Sequence, residues 1–410
     1  MEQVFRGFLA IAFVLGVAFL FSTNKKNINW RTVLLALLVQ ILLGAFVLYL
    51  DFGKAVLLGI TTGVNQLLSH ATDGINFMFG GLANKDSYGF VFAFHVLPVI
   101  VFFSAFIAVL YHLGIMGWVI RLIGGGLQKL LKTSKPESLC ATANIFVGQS
   151  EAPLVVRPFL NSMTRSELFA VMVGGLSSIA GSTMAGYAGI GVELKYLIAA
   201  SFMAAPAGLL MAKIILPETS LSNDELTEIP EPERKTVNAI DAAAEGALNG
   251  VMLAINVGAM LVAFIAIIGV ANSLLGGIGS IFGFEGVTLQ SLLGYVFSPV
   301  AWALGVSWDE ARLAGSFLGQ KIIANEFVAY LDYVKYQTEL SEHTNVIVTF
   351  ALCGFANLSS IAILLGGLGT LAPKRRPDIV QLGVKALIAA TLANLMSAAI
   401  AGLFTALANV

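Results

Sequence analysis

Long apolar runs separated by short polar interruptions dominate this chain, and run length carries more information than amphipathic period. Residues 4–21, 33–50, 90–113, 169–190, 196–216, 247–275, 346–371 and 380–407 each approach or exceed the roughly 20 apolar residues a helix needs to cross a bilayer. They predict eight membrane-spanning helices. The first run is not read as a signal peptide, because no basic cluster precedes it and no A-x-A site follows it. Residues 117–131 are shorter and set Arg121 and Lys129 among leucines and glycines, the profile of a helix lying in the membrane interface. Residues 51–84 predict an amphipathic surface helix followed by a loop, and 289–306 a second surface-lying segment after a Gly/Phe-rich turn at 276–286. The one strongly hydrophilic run, 217–235, reads as a solvated linker between two halves.

Two stretches fit neither class. Residues 144–158 read NIFVGQSEAPLVVRP, with Asn144, Gln149, Glu151, Pro153 and Pro158 inside an apolar region. An unpaired carboxylate at bilayer depth costs about 2.5–3.5 kcal/mol on insertion scales, and freed backbone is tolerated there only when buried in protein or lining a wet cavity. The stretch is therefore either a re-entrant, broken-helix site or a cytoplasmic loop between two spans. Residues 308–336 carry Asp309, Glu310, Arg312, Lys321 and Glu326, again too polar for a plain span. After each stretch the same five-residue word appears, Leu176-Ser177-Ser178-Ile179-Ala180 and Leu358-Ser359-Ser360-Ile361-Ala362. A word placed after an intramembrane glutamate in both halves points to a duplicated unit, and paired interrupted segments point to a transporter's binding site.

Basic residues orient the chain. Lys25, Lys26 and Arg31, then Arg121, Lys129, Lys132 and Lys135, then Arg234 and Lys235, and finally Lys374, Arg375 and Arg376 all fall on one side if eight crossings alternate and both broken stretches re-enter. That side is the cytoplasm, so both termini face outward; Arg6 runs against the pattern. The two hairpins then enter from opposite sides, which makes the units inverted repeats and places Glu151 and Glu326 close together near the midplane.

Composition agrees with a membrane setting: 57% of residues are hydrophobic and 11% charged, against about 25% charged in soluble domains. A net charge of −1 offers nothing to attract nucleic acid. Cys140 and Cys353 lie far apart in apolar context and read as buried thiols. His70, His95, His112 and His343 are scattered without metal-ligand spacing, so no cofactor or transition metal is expected. Two facing carboxylates could serve an intramembrane hydrolase as acid and base, but no guarded water or G-x-S-x-G nucleophile motif accompanies them. A channel is disfavoured because no filter-like glycine motif or ring of charge is present. The chain is not read as an enzyme.

Three motifs carry a resemblance. GQSEAPLVVRP at 148–158, ANEFVAY at 324–330 and CGFANLSSIA at 353–362 resemble the concentrative nucleoside transporters, over essentially the full length and in the bacterial eight-span form. The resemblance implies an all-α polytopic protein of eight transmembrane helices, two re-entrant hairpins and interfacial helices, working as an elevator-type homotrimer in the inner (plasma) membrane. It implies scaffold segments at 1–113 and 237–306, transport-domain repeats at 114–216 and 307–410, and a cytoplasmic linker at 217–236. Gln149, Ser150 and Glu151 are implied to hydrogen-bond the nucleobase, and Thr183 to line its pocket. Glu326, Asn357 and Ser360 are implied to hold the ribose, with Phe355 beside the sugar. Asn144 and Ser178, with the carbonyls of Val147 and Ile179, are implied to surround a coupling sodium ion. Position 150 is serine or threonine across the family, which leaves base preference open.

The chemistry of these residues agrees. A carboxylate accepts from vicinal hydroxyls and a carboxamide both gives and takes, while unwound carbonyls with Asn and Ser side chains supply the oxygens sodium prefers. Plainer roles remain open for some: a hairpin cap for Asn144, and helix packing for Ser178, Ser360, Thr183 and Phe355. Proton coupling is the alternative to sodium, since a buried glutamate can take up a proton; Asn144 and Ser178, which do not titrate, favour sodium.

Overall fold

The computed structural model describes residues 2–220 and 236–408, and every regular element among them is a helix. Most of the expected linker at 217–236 thus lies outside the described residues. The chain begins with α1 (Glu2–Leu20) and α2 (Trp30–Leu48), followed by α3 (Asp51–Phe79), α4 (Leu97–His112) and α5 (Ile115–Leu131). In α5 the buried positions Met116, Ile120, Gly124, Leu127 and Leu131 form one face, while Arg121 and Lys129 are exposed. This three-to-four spacing is that of a surface helix. The same pattern holds along α3 at Gly53, Leu57, Thr61, Ala71 and Ile75.

A first unit follows: α6 (Lys135–Ala143), a turn, a 3₁₀ helix at Ala152–Phe159, α7 (Arg165–Ser177), α8 (Gly181–Gly189) and α9 (Leu194–Ile215). After α10 (Ala239–Ile281) and α11 (Leu289–Ala303) comes a second unit with the same order: α12 (Trp308–Ile323), α13 (Glu326–Tyr336), α14 (Glu342–Leu352), α15 (Leu358–Leu371) and α16 (Arg376–Ala408). Each unit is a hairpin, a broken helix and a continuous helix. The first hairpin begins at α6, nine residues ahead of the polar stretch that betrays it, because Ser134 and Glu137 form a capping box at its entry.

The repeated word does not mark equivalent positions in the two units. In the first it closes α7 and forms the break; in the second it starts α15, after the break. The two units share element order and not that register.

Among the described residues, seven stretches are long and apolar enough to cross a bilayer: α1, α2, Phe92–His112, Arg165–Gly189, α9, α10 and Pro373–Ala408. The expected crossing at 346–371 is not among them. It is divided into α14 and α15, of 11 and 14 residues, each short of the roughly 20 needed alone. Helices α11 and α12 are bent 115° from one another and so do not form a straight crossing. Helix α10 runs 43 residues, about 64 Å at 1.5 Å per residue. That length exceeds the expected 247–275 and overshoots the hydrocarbon core.

Burial separates the spans into two classes. Over an apolar 18-residue stretch of each, Arg165–Gly189, α9 and Pro373–Ala408 are 94%, 94% and 89% buried within the chain, whereas α1, α2, Phe92–His112 and α10 are 28%, 28%, 22% and 22% buried. The outer helices keep apolar faces free for lipid or another chain. Close backbone contact holds the outer pair α4 and α10: a Cβ at Gly246 would lie 2.5 Å from Ala108 Cβ, and one at Gly250 2.7 Å from Val101 Cα. This is the small-residue packing by which helices associate in lipid, where the hydrophobic effect gives little drive.

Candidate functional site

Three irregular backbone segments meet where the two units join. The first is the turn after α6, entered through Asn144. The second is the extended break at Ser178–Ala180 between α7 and α8, where Ser178 has φ −113° and ψ 176°. The third is the break at 353–357, closed by Asn357, whose side chain caps α15 by accepting from Ser360 N–H at 2.8 Å. The Phe355 N–H donates to Ser178 O at 3.1 Å and the Gly181 N–H to Phe146 O at 3.0 Å, so the three segments satisfy one another's backbone. Such backbone is tolerated at membrane depth when it is buried in protein in this way or lines a wet cavity. Small residues permit the approach: a Cβ at Gly175 would lie 3.1 Å from Gln149 Cβ, and one at Gly174 3.3 Å from Asn144 Nδ2.

The four residues expected around sodium lie on these segments. Asn144 is 1% exposed; its Nδ2 donates to Cys140 O at 2.9 Å, and its Oδ1 has no partner although buried. Ser178 donates its hydroxyl to Gly174 O at 3.2 Å, beside the same Gly174 that Asn144 packs against. The carbonyls of Val147 and Ile179 accept no backbone hydrogen bond among the described residues. A buried acceptor left without a donor costs about 1–3 kcal/mol. A small hard cation bound there would relieve that cost.

Among the other expected site residues, Glu326 is the organising group. It starts α13 behind its cap Asn325 and is 5% exposed. Its Oε1 accepts from the Tyr187 hydroxyl at 2.8 Å and its Oε2 from Asn357 Nδ2 at 2.7 Å. The Asn357 Oδ1 accepts in turn from Ser359 Oγ at 2.7 Å and from the Ser360 N–H. A carboxylate has about four acceptor positions, so about two remain after these bonds. Ser360 and Thr183 are buried and Phe355 half-buried. Gln149 is buried with its Oε1 unpartnered, and Ser150 and Glu151 are exposed at the hairpin tip. Ser150 packs near α15, 3.8 Å from the place of a Cβ on Gly367.

The Glu326 oxygens are engaged by Tyr187 and Asn357, and Glu151 is exposed on the first hairpin.

Tyr187 escaped the sequence reading. It lies one helical turn from Thr183 on the same face of α8, fully buried, with ring centroids 4.8 Å from both Phe327 and Tyr330. The available signal was chemical: a lone tyrosine in a Gly/Ala-rich buried span needs a partner for its hydroxyl. Lys321 and Asn394 were also missed, and both are buried polar groups beside the breaks.

Comparison with known proteins follows the same lines. Models described as Na+ dependent nucleoside transporter N-terminus and C-terminus match residues 9–82 and 196–402, and one described as Nucleoside recognition matches 93–193. The nucleoside permease NupC of Helicobacter pylori is 48% identical over 409 residues, covering 97% of each chain. Sodium/nucleoside cotransporter 1 of Homo sapiens is 38% identical over 405 residues, covering 94% of this chain and 62% of that one. A solved structure described as CNTnw in an inward-facing substrate-bound state superposes with a TM-score of 0.95 at 52% identity, covering 100% of this chain and 99% of the other. These relatives are permeases and cotransporters, not enzymes.

Proposed function

Because this chain belongs to the Na+ dependent nucleoside transporter family, we propose that it takes up nucleosides across the inner membrane by sodium-coupled symport. The observation that carries sodium is the buried, unpartnered Asn144 Oδ1. In this reading Asn144, Ser178 and the carbonyls of Val147 and Ile179 hold the ion. Glu326, Asn357 and Ser360 hold the ribose hydroxyls with Phe355 beside the sugar. Gln149, Ser150 and Glu151 reach the base and Thr183 lines its pocket. Tyr187 and Asn357 keep the Glu326 carboxylate aimed, so that no reorganisation is needed when the sugar arrives.

The ion acts on the substrate through the backbone it ties together. Drawing Asn144 on the first hairpin towards Ser178 on the α7–α8 break fixes the adjoining Gln149–Glu151 edge. Sodium then raises nucleoside affinity, and nucleoside raises sodium affinity by the same factor.

The division of the spans by burial supports an elevator. The enclosed helices with both hairpins, in 114–216 and 307–410, form the moving body, and the lipid-facing helices of 1–113 and 237–306 form a scaffold that assembles as a trimer. The linker at 217–236 joins them on the cytoplasmic side, and both termini face outward. One relative, CNTnw, is described in an inward-facing state and, as substituted forms, in outward-facing and intermediate states, which supports this reading.

The test is nucleoside binding to the purified protein, titrated with sodium at fixed pH and then with pH at fixed sodium. Affinity is expected to follow sodium. A curve that follows pH and ignores sodium would refute sodium coupling and establish a proton-coupled symporter in its place.

A further inference from the structure

The two helix breaks share a support made of residues outside the proposed ligand set. Lys321, on α12, is fully buried and has no carboxylate within ion-pair distance among the described residues. Its Nζ donates to Ala351 O at 2.7 Å and to Asn394 Oδ1 at 2.8 Å. The Asn394 carboxamide, on α16, donates in turn to Ser177 O at 2.6 Å and Cys353 O at 3.0 Å. Ala351 lies in the last turn of α14, Cys353 caps it, and Ser177 is the last residue of α7.

Helices α7 and α14 thus present their C-terminal ends to one buried ammonium, directly or through one carboxamide. Terminal carbonyls have no partner within their own helix, and the helix C-terminus carries partial negative charge. Lys321 answers both. The fit is tight at the second break, where a Cβ on Gly354 would fall 2.4 Å from Asn394 Oδ1. An ionisable side chain at this depth is rare and costly unless it has a function.

The consequence lies in what comes next along each segment. Ser177 immediately precedes Ser178 and Ile179, and Cys353 begins the break that contains Phe355 and Asn357. We infer that Lys321, acting through Asn394, is a positioning residue that sets the geometry of the ion-binding and sugar-binding breaks together, and so links the second hairpin to both. The inference rests on the site reading above and goes beyond it, because neither residue is among those that reading assigns to sodium or nucleoside.

The experiment measures uptake into proteoliposomes by Lys321→Gln, Asn394→Ala and the double variant, normalised to monodisperse protein, with Asn144→Ala beside them. Lys321→Gln keeps a donor but removes the charge; Asn394→Ala leaves room for water at the freed carbonyls. Expected is a joint rise, about ten- to a hundredfold, in the nucleoside KM and the sodium midpoint, with a smaller fall in turnover. The double variant should be no worse than the worse single, as for residues acting as one unit. Three results overturn the inference: folded variants with unchanged KM and sodium midpoint, a lower sodium midpoint, which marks Lys321 as a mere repelling charge, or failure of both single variants to fold, which marks a structural pair only. If Asn144→Ala leaves sodium dependence intact, the sodium site falls instead, and the nucleoside KM alone decides the role of the pair.

Discussion

Replacing Glu326 by glutamine changes almost nothing in shape and tests the sugar clamp most directly. In the native protein both carboxylate oxygens accept from fixed donors, the Tyr187 hydroxyl at 2.8 Å and Asn357 Nδ2 at 2.7 Å. A glutamine supplies one acceptor and one donor. Its oxygen can keep the Asn357 bond, whose donor is anchored because Asn357 Oδ1 is held by Ser359 and Ser360. The new amide then faces Tyr187, whose hydroxyl can rotate to accept, so the variant should fold. The side chain nevertheless loses its charge and half of its acceptor capacity, including one of the roughly two positions left for the vicinal hydroxyls. One charge-assisted bond contributes about 1.5–3 kcal/mol, so affinity for every ribonucleoside should fall about ten- to a hundredfold. The assay is competition by a ribonucleoside and its 2′,3′-dideoxy counterpart, against native protein and variant, giving a thermodynamic cycle. The native protein should strongly prefer the riboside, and the variant should lose most of that preference. Equal losses for both ligands, or native affinity for the riboside, would refute the clamp.

Other expectations follow from the same geometry. Tyr187→Phe should weaken ribonucleosides in the same pattern as Glu326→Gln but by less, since Asn357 still aims the carboxylate; an unchanged KM would remove Tyr187 from the clamp. Ser150→Thr and changes at Gln149 should reorder purines against pyrimidines more than they depress all of them, read from a competition panel, and an unchanged rank order would remove both residues from the base site. Asn144→Ala should shift the sodium midpoint upward, with nucleoside affinity partly restored at high sodium; an unshifted midpoint counts against the ion site. Lys213→Met should lower stability by about 3–5 kcal/mol, seen as a lower Tm, because it strands the 2% exposed Glu137 carboxylate that Lys213 pairs with on the first hairpin. A Tm within a degree of the native value would show that pair to be unimportant.

The class of this protein was legible in the chain because a bilayer enforces a simple rule: runs of about 20 apolar residues become spans, and polar breaks among them demand protein cover. That rule located α1, α2, α9 and α10, both hairpins and the surface helices α3 and α5 from local pattern alone. The motifs around Glu151, Glu326 and Asn357 identified the family for the same local reason. Relations between distant segments lay beyond such signals. That the Tyr187 hydroxyl would bond Glu326, 139 residues away in sequence, depended on how α8 packs on α13. The repeated word suggested equivalent positions, yet cap geometry put one copy at the end of a helix and the other at the start. Lys321 and Asn394 looked like isolated polar residues until folding brought two helix C-termini to them, because a carbonyl without a partner exists only once the helix that ends there has formed.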